Sequence, residues 1–388
     1  MPSSRGPGIL WDRIRMTSDA FREEAMRLTG LSDFGDPAYA KGLDVLMQSL
    51  RATRLNFRGR LAIKRHVLHA LKQRLLFHDL RKTSPGIFAT PLLPPIIVAG
   101  LPRSGTTILH RLLAQDERLR APLLRELLTL VPSPSRVKRG LNELAFWADI
   151  AALRFYSDLD AKHVTRLNEP EECMAALATT FRSPYYWLVA PTYFYLEWYG
   201  KADRRAKYRE YHAMLKLLQS RAPEKRLLMK SPEHLGSVAE LLDEIPEALV
   251  VVCYRKPEIA ITSQNNLTHP VHRIVSKDAD PARSAEATLA AAVVETQRYM
   301  SARDRFRQRI VEVDYDDIVR RPLDVVARVF ERAGLPIDPE QRAKFERFLA
   351  ENPKDKHGRH VYRPEDFGQT AEEIARRMAH YRMAKSSS

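Results

Sequence analysis

The 388 residues are 44% hydrophobic and 29% charged, ordinary values for a soluble globular chain of one large or two medium domains. No apolar run reaches spanning length, residues 1–8 carry no signal-peptide core, and two cysteines outside any C-x-x-C motif speak against a disulfide framework, so a reducing cytoplasm is expected. The net charge of +15 allows nucleic acid, anionic membrane or an anionic small ligand, but the cations are spread among 48 acids with no basic tail, zinc-finger spacing or RNA-recognition signature, which leaves a basic soluble surface and no nucleic-acid partner.

Residues 1–9 and the tail from Lys385 read as disordered. Residues 14–81 read as helical. Leu43, Leu46, Met47 and Leu50 keep helical spacing, as do Val67, Leu68, Leu71 and Leu75, with Arg and Lys at many other positions. A membrane-surface helix fits this pattern, but an amphipathic helix packed on its own protein is the commoner case. Residues 1–90 are therefore expected to form a helical N-terminal extension packed on an α/β domain spanning 91–388.

From Ile96 the order becomes α/β. Strands are predicted at 96–99, 227–229, 248–254 and 310–313, and helices at 107–115, 203–220, 235–245, 258–266, 284–306 and 322–333. Short, almost wholly apolar strands alternating with helices predict a buried parallel sheet, which binds ligands beyond its carboxyl edge.

The first strand runs into Gly100-Leu101-Pro102-Arg103-Ser104-Gly105-Thr106-Thr107. Gly100 and Gly105 have the spacing of a phosphate-cradling loop, but Thr106 stands where a nucleotide triphosphatase needs Lys, and the cation is Arg103 inside the loop. A tight turn into a helix N-terminus offers amide donors and the positive end of the helix dipole, to which Ser104, Thr106 and Thr107 add hydroxyls. The reading is a P-loop-like anion site that does not hold ATP. A second candidate anion site follows the apolar strand that ends at Tyr254. A Walker B strand ends in an acid, whereas this one ends in Arg255-Lys256, with Ser263 eight positions after Arg255.

These two anchors resemble those of the sulfotransferase superfamily that uses 3′-phosphoadenosine 5′-phosphosulfate (PAPS), over roughly residues 90–335. Pro102, Arg103, Ser104, Gly105, Thr106 and Thr107 match the family's loop for the 5′-phosphosulfate, and Arg255 with Ser263 matches its 3′-phosphate pair. Arg at position 103 is similar to the bacterial and tyrosylprotein branches. Asn168-Glu169-Pro170-Glu171-Glu172, Lys230-Ser231-Pro232-Glu233-His234 and Glu365-Asp366-Phe367-Gly368 resemble the bacterial branch. The resemblance implies metal-independent transfer of a sulfuryl group from PAPS to an acceptor hydroxyl. Arg103 and Lys230 would then balance charge during the transfer.

An acceptor hydroxyl needs a base. Glu126 resembles the catalytic glutamate of the tyrosylprotein branch, although its offset from the loop differs, and is preferred. His234 is the alternative, but the cytosolic branch's histidine position holds Pro232 here. Glu169, Glu171 and Glu172 would orient an acceptor or Arg103, or simply start a charged helix. His357 and His360 flank a helix-breaking Gly358 and have no partner set for a metal, so the basic loop at 356–360 is read as a 3′-phosphate contact. The aromatic stretch 181–199 suits either an apolar or ring-bearing acceptor alcohol or plain core packing. The rivals are a P-loop kinase or NTPase, and a non-catalytic nucleotide- or membrane-binding relative.

Overall fold

Five parallel strands form the central sheet of the computed structural model, which describes residues 16–132, 166–352 and 363–381. They are β1 (Ile96–Gly100), β2 (Leu119–Arg120), β3 (Arg226–Lys230), β4 (Leu249–Tyr254) and β5 (Ile310–Asp314), in spatial order β2-β3-β1-β4-β5. β1 is central, with Val98 opposite Lys230 on one side and Val251 on the other. Successive side chains of a strand face opposite ways. Ile97, Ala99, Met229, Val250 and Val252 accordingly enter one buried cluster, while Ile96, Val98, Leu228, Val251 and Cys253 enter another. Both faces are covered, which explains the nearly continuous apolar runs.

The sequence-predicted elements of the sheet region are all present, with ends shifted by a few residues. The largest difference lies after β4, where a helix predicted to stop at 266 runs from Pro257 to Val275, through Pro270. Beyond the proline, Val271, His272 and Val275 are buried, and His272 Nε2 donates to the Trp187 carbonyl at 2.6 Å. Tertiary packing thus overrides a local helix breaker. The predicted helix at 235–245 begins instead as a 3₁₀ turn, Pro232–Ser237. Two-residue β2 carried no sequence signal.

The helical stretch before the sheet divides into α1 (Ser18–Thr29), α2 (Ala38–Ala52) and α3 (Phe57–Thr83). Thr17 caps α1, Gly30 ends it in a left-handed conformation, and Asn56 caps α3 through the Gly59 amide. Their apolar faces share a third buried cluster with Phe181, Tyr186, Tyr195 and Val275. Arg74 of α3 meets Glu210 through two contacts of 2.5 Å, with both side chains buried. This bidentate pair ties α3 to the helix Arg205–Gln219. Residues 1–9, the tail from Lys385 and the 356–360 loop lie outside the described residues. Among the described residues, no helix is long and apolar enough to cross a membrane.

Candidate active site

The carboxyl ends of β1, β3, β4 and β5 converge around one cavity of about 480 Å³. β1 turns through residues 101–105 into α4 (Thr106–Leu113). The turn is tight enough to need unusual backbone. Arg103 has φ 69° and Gly105 φ 91°. A Cβ on Gly105 would lie 2.9 Å from the Tyr315 ring, so glycine serves there for both conformation and space. A left-handed Arg costs roughly 1–2 kcal/mol. Here the strain is met by Arg255 Nη1, which donates to the Arg103 carbonyl at 2.9 Å, and by Arg103 Nε, which donates to Ser263 Oγ at 3.1 Å.

The two sequence-predicted anion anchors therefore touch each other. Pro102, Arg103, Gly105, Thr106, Thr107 and Arg255 line the cavity. Ser263 stands behind Arg103. The Arg255 guanidinium lies 4.0 Å from the Tyr315 ring centroid, a cation–π contact that fixes its direction. Ser104 is different from expectation. It is fully buried, and its hydroxyl donates to the Leu101 carbonyl at 2.7 Å, so it braces the turn.

Lys230, at the end of β3, is 1% exposed. Its ammonium donates to Glu172 at 3.0 Å, Glu171 at 3.2 Å and Thr107 at 3.3 Å. Burial disfavours the charge, but the two carboxylates and their hydrogen bonds outweigh it and hold the ammonium above its ordinary value. The carboxylates are brought there by backbone pairing. The Cys173 amide donates to the Lys230 carbonyl at 2.9 Å, and Leu123 bridges Pro170. Of the acidic cluster, Glu172 lines the cavity beside Arg103, Thr107 and Arg111. Glu169 instead pairs with Arg111 at 2.8 Å.

Neither sequence-proposed base lines this cavity. Glu126 contacts Arg120 and, at 3.4 Å, Arg221, and it accepts from the Leu123 amide at 3.0 Å. Burial acts to raise its pKa, but that amide and the two arginines prevail and hold its carboxyl below the ordinary range. It caps and clamps a short helix, Leu124–Leu128. His234 is fully buried between Tyr208, at 2.8 Å from Nδ1, and Cys173, at 3.1 Å from Nε2. Burial holds its imidazole neutral, with Lys207 acting in the same direction.

Beyond the loop and Arg255, the cavity is lined by Met174, Trp187, Leu188, Leu196, Leu235 and Leu267, with Glu233, Gln264, Thr288 and Glu295 among them. The aromatic stretch 181–199 divides between the two uses foreseen for it. Trp187 and Tyr199 line the cavity, whereas Phe181, Tyr186 and Tyr195 pack against the N-terminal helices. Two ion pairs stiffen the wall: Lys207 with Glu233 at 2.7 Å, both buried, and buried Arg204 with partly buried Glu295 at 2.8 Å. The sequence reasoning missed Arg111, the Glu172–Lys230 pairing and the cavity-facing position of Tyr315. The last follows directly on β5, where no sequence signal marked it.

The comparisons with known proteins agree with this geometry. The sulfotransferase STF1 of Mycobacterium tuberculosis H37Rv superposes with a TM-score of 0.77 at 27% identity, covering 94% of this chain and 98% of that one. The sulfotransferase STF9 of Mycobacterium avium gives 0.80 at 26% identity, covering 95% and 96%. The omega-hydroxy-beta-dihydromenaquinone-9 sulfotransferase Stf3 of Mycobacterium bovis is 24% identical over 259 residues, 62% of this chain and 63% of its own length, so the chain spans under two thirds of that relative. The signature of the Sulfotransferase family matches residues 94–339, from the approach to β1 to just beyond β5 and its helices. With most of the chain matched, and with the phosphate-type loop, its Arg255 partner and the parallel sheet in the order described, the chain belongs to the sulfotransferase family.

Proposed function

We propose that this protein transfers a sulfuryl group from PAPS to the hydroxyl of an apolar small molecule, without a metal ion. The observation that carries the reading is the meeting of Arg103, Arg255 and Ser263 at the N-terminus of α4, beside a cavity whose lining is mostly apolar. The residues suit such a donor. First-turn amides, hydroxyls and two guanidinium groups face one region, and the Gly105 position leaves no room for a side chain. Arg103, Gly105, Thr106 and Thr107 would hold the 5′-phosphosulfate, and Arg255 with Ser263 the 3′-phosphate. The donor supplies an activated sulfuryl group. The protein's part is to align it, exclude water and stabilise charge.

Within this reading Glu172 is the general base, in place of Glu126 or His234. Glu172 is on the cavity wall and the other two are not. Its carboxylate takes the acceptor's proton as the acceptor oxygen bonds to sulfur and the sulfur–oxygen bond to the leaving phosphate breaks. Lys230, 3.0 Å from Glu172, then balances the charge moving across the site. Thr107 links Lys230 to the loop that would hold the leaving group. The mostly apolar lining and the omega-hydroxy-beta-dihydromenaquinone-9 named for the Stf3 relative both favour a lipophilic alcohol as acceptor.

A thermal-shift series tests the reading. Adenosine 3′,5′-bisphosphate in the presence of a chelator is expected to raise the melting temperature, and Arg103→Ala to abolish the rise. A response to Mg-ATP alone would favour the kinase reading. Transfer of labelled sulfuryl from PAPS into extracts, with Arg103→Ala as blank, then identifies the acceptor.

A further inference from the structure

A basic and apolar face lies at the junction of α2 and α3, away from the anion-binding loop. Residues 51–66 read Arg-Ala-Thr-Arg-Leu-Asn-Phe-Arg-Gly-Arg-Leu-Ala-Ile-Lys-Arg-His: six cations and no acid. Phe57 is 52% exposed, and Leu61, one turn further along α3, is 37% exposed. A groove runs between this corner and the far end of the helix Pro257–Val275, lined by Asn56, Phe57, Arg58, Pro270, Arg273 and Ile274. Arg273 and Lys277 add two exposed cations, while Arg54 is met by Asp278 at 3.6 Å.

The corner is rigidly built. The Asn56 side chain accepts from the Gly59 amide at 2.9 Å and donates to the Ile274 carbonyl at 2.7 Å. The Asn56 amide donates to the Val275 carbonyl at 3.0 Å, and a Cβ on Gly59 would lie 2.1 Å from that oxygen. Phe57 is thus held outward as the first residue of a clamped helix. An exposed aromatic and a leucine one turn apart, ringed by cations, match the interfacial face of a peripheral protein. Apolar groups enter the headgroup layer there, and long basic side chains reach lipid phosphates.

We propose that this face docks on the surface of an anionic lipid bilayer. The position gives the contact a purpose. Leu267 of the helix Pro257–Val275 lines the cavity, and Ile274, seven residues on, lines the groove, a separation of about 10 Å along the axis. A docked protein holds its apolar cavity near the membrane, where lipophilic alcohols reside. The docking itself does not depend on the transfer reaction and is measured without it.

The test is sedimentation of the whole protein with vesicles. Vesicles of phosphatidylglycerol mixed into phosphatidylcholine are expected to bind it at low salt and release it at high salt, whereas phosphatidylcholine alone binds poorly. Arg58→Gln with Arg273→Gln is expected to lower the partition coefficient about 30-fold, from roughly fivefold per cation. Phe57→Ser with Leu61→Ser is expected to lower it roughly tenfold or more. Arg332→Gln with Arg347→Gln, exposed cations on other helices, is the control and is expected to bind as the wild type does. The proposal is overturned if the wild type ignores anionic vesicles, if it binds both vesicle types equally, or if the control pair weakens binding as much as either patch pair. Unchanged thermal unfolding of the variants keeps a folding defect out of the result, and the two patch pairs perturb the face independently.

Discussion

Replacing Glu172 with Gln separates a catalytic carboxylate from a structural one. Glu172 and Glu171 lie 3.0 and 3.2 Å from the Lys230 ammonium. At an effective dielectric constant of 20, each contact carries about 5 kcal/mol of attraction before desolvation is counted. Gln keeps the shape and a hydrogen-bond acceptor, and Glu171 still faces Lys230. The stability loss is then near the difference between a charged and a neutral hydrogen bond, about 1–2 kcal/mol. Removal of a general base costs about 10²- to 10⁴-fold in rate, or about 3–5 kcal/mol in the barrier. The two effects are far enough apart to distinguish. Initial rates of labelled sulfuryl transfer are measured across pH, with thermal unfolding of the same samples. The expected outcome is a folded variant at least 100-fold slower, with the acid limb of its pH–rate profile flattened. A variant within threefold of the wild-type rate, with the large loss found instead in Glu126→Gln, would refute the argument.

Glu126→Gln is expected to leave transfer nearly unchanged and to reduce stability by about 1–3 kcal/mol at neutral pH. The Glu126 carboxyl is held below its ordinary value when folded, so its stabilisation is complete above the unfolded value and is lost as pH falls through the folded one. Urea unfolding at several pH values should show the difference shrinking in acid, and a constant difference would count against it. Arg103→Ala, which removes both the loop's guanidinium and its contact with Ser263, is expected to abolish transfer and stabilisation by adenosine 3′,5′-bisphosphate while keeping the circular dichroism spectrum. Arg74→Ala strands the buried Glu210 carboxylate and is expected to cost about 3–5 kcal/mol, read as a fall in melting temperature.

Much of the α/β layout was legible because it rests on local patterns. Apolar runs at 96–99 and 248–254 stood out, since a strand buried on both faces leaves few polar positions. The Pro322 start and Gly334 end of one helix were readable to the residue, because proline and glycine act through their own backbone. The helix through Pro270 was not readable past 266. What continues it is packing near Trp187, some 85 residues away in sequence.

The candidate donor site follows the same division. Its loop was legible as a contiguous string, and Arg255 with Ser263 as a fixed spacing at a strand end. Glu126 was chosen by resemblance to the tyrosylprotein branch, despite a different offset from that loop. The fold places it among Arg120, Arg221 and the Leu123 amide, a clamp invisible to spacing. Glu172 was noticed only as part of an acidic cluster, because its partner Lys230 lies 58 residues away.

The sequence by itself determined the family, the parallel α/β order and the candidate anion-site residues. Each depends on a short segment whose backbone and chemistry are set locally. Only the tertiary structure decided which acids face the cavity, which aromatic side chains line it and which leave it for the core, and which apolar residues of a basic helix remain outside. Those choices depend on burial, and burial is fixed by what the rest of the chain brings alongside.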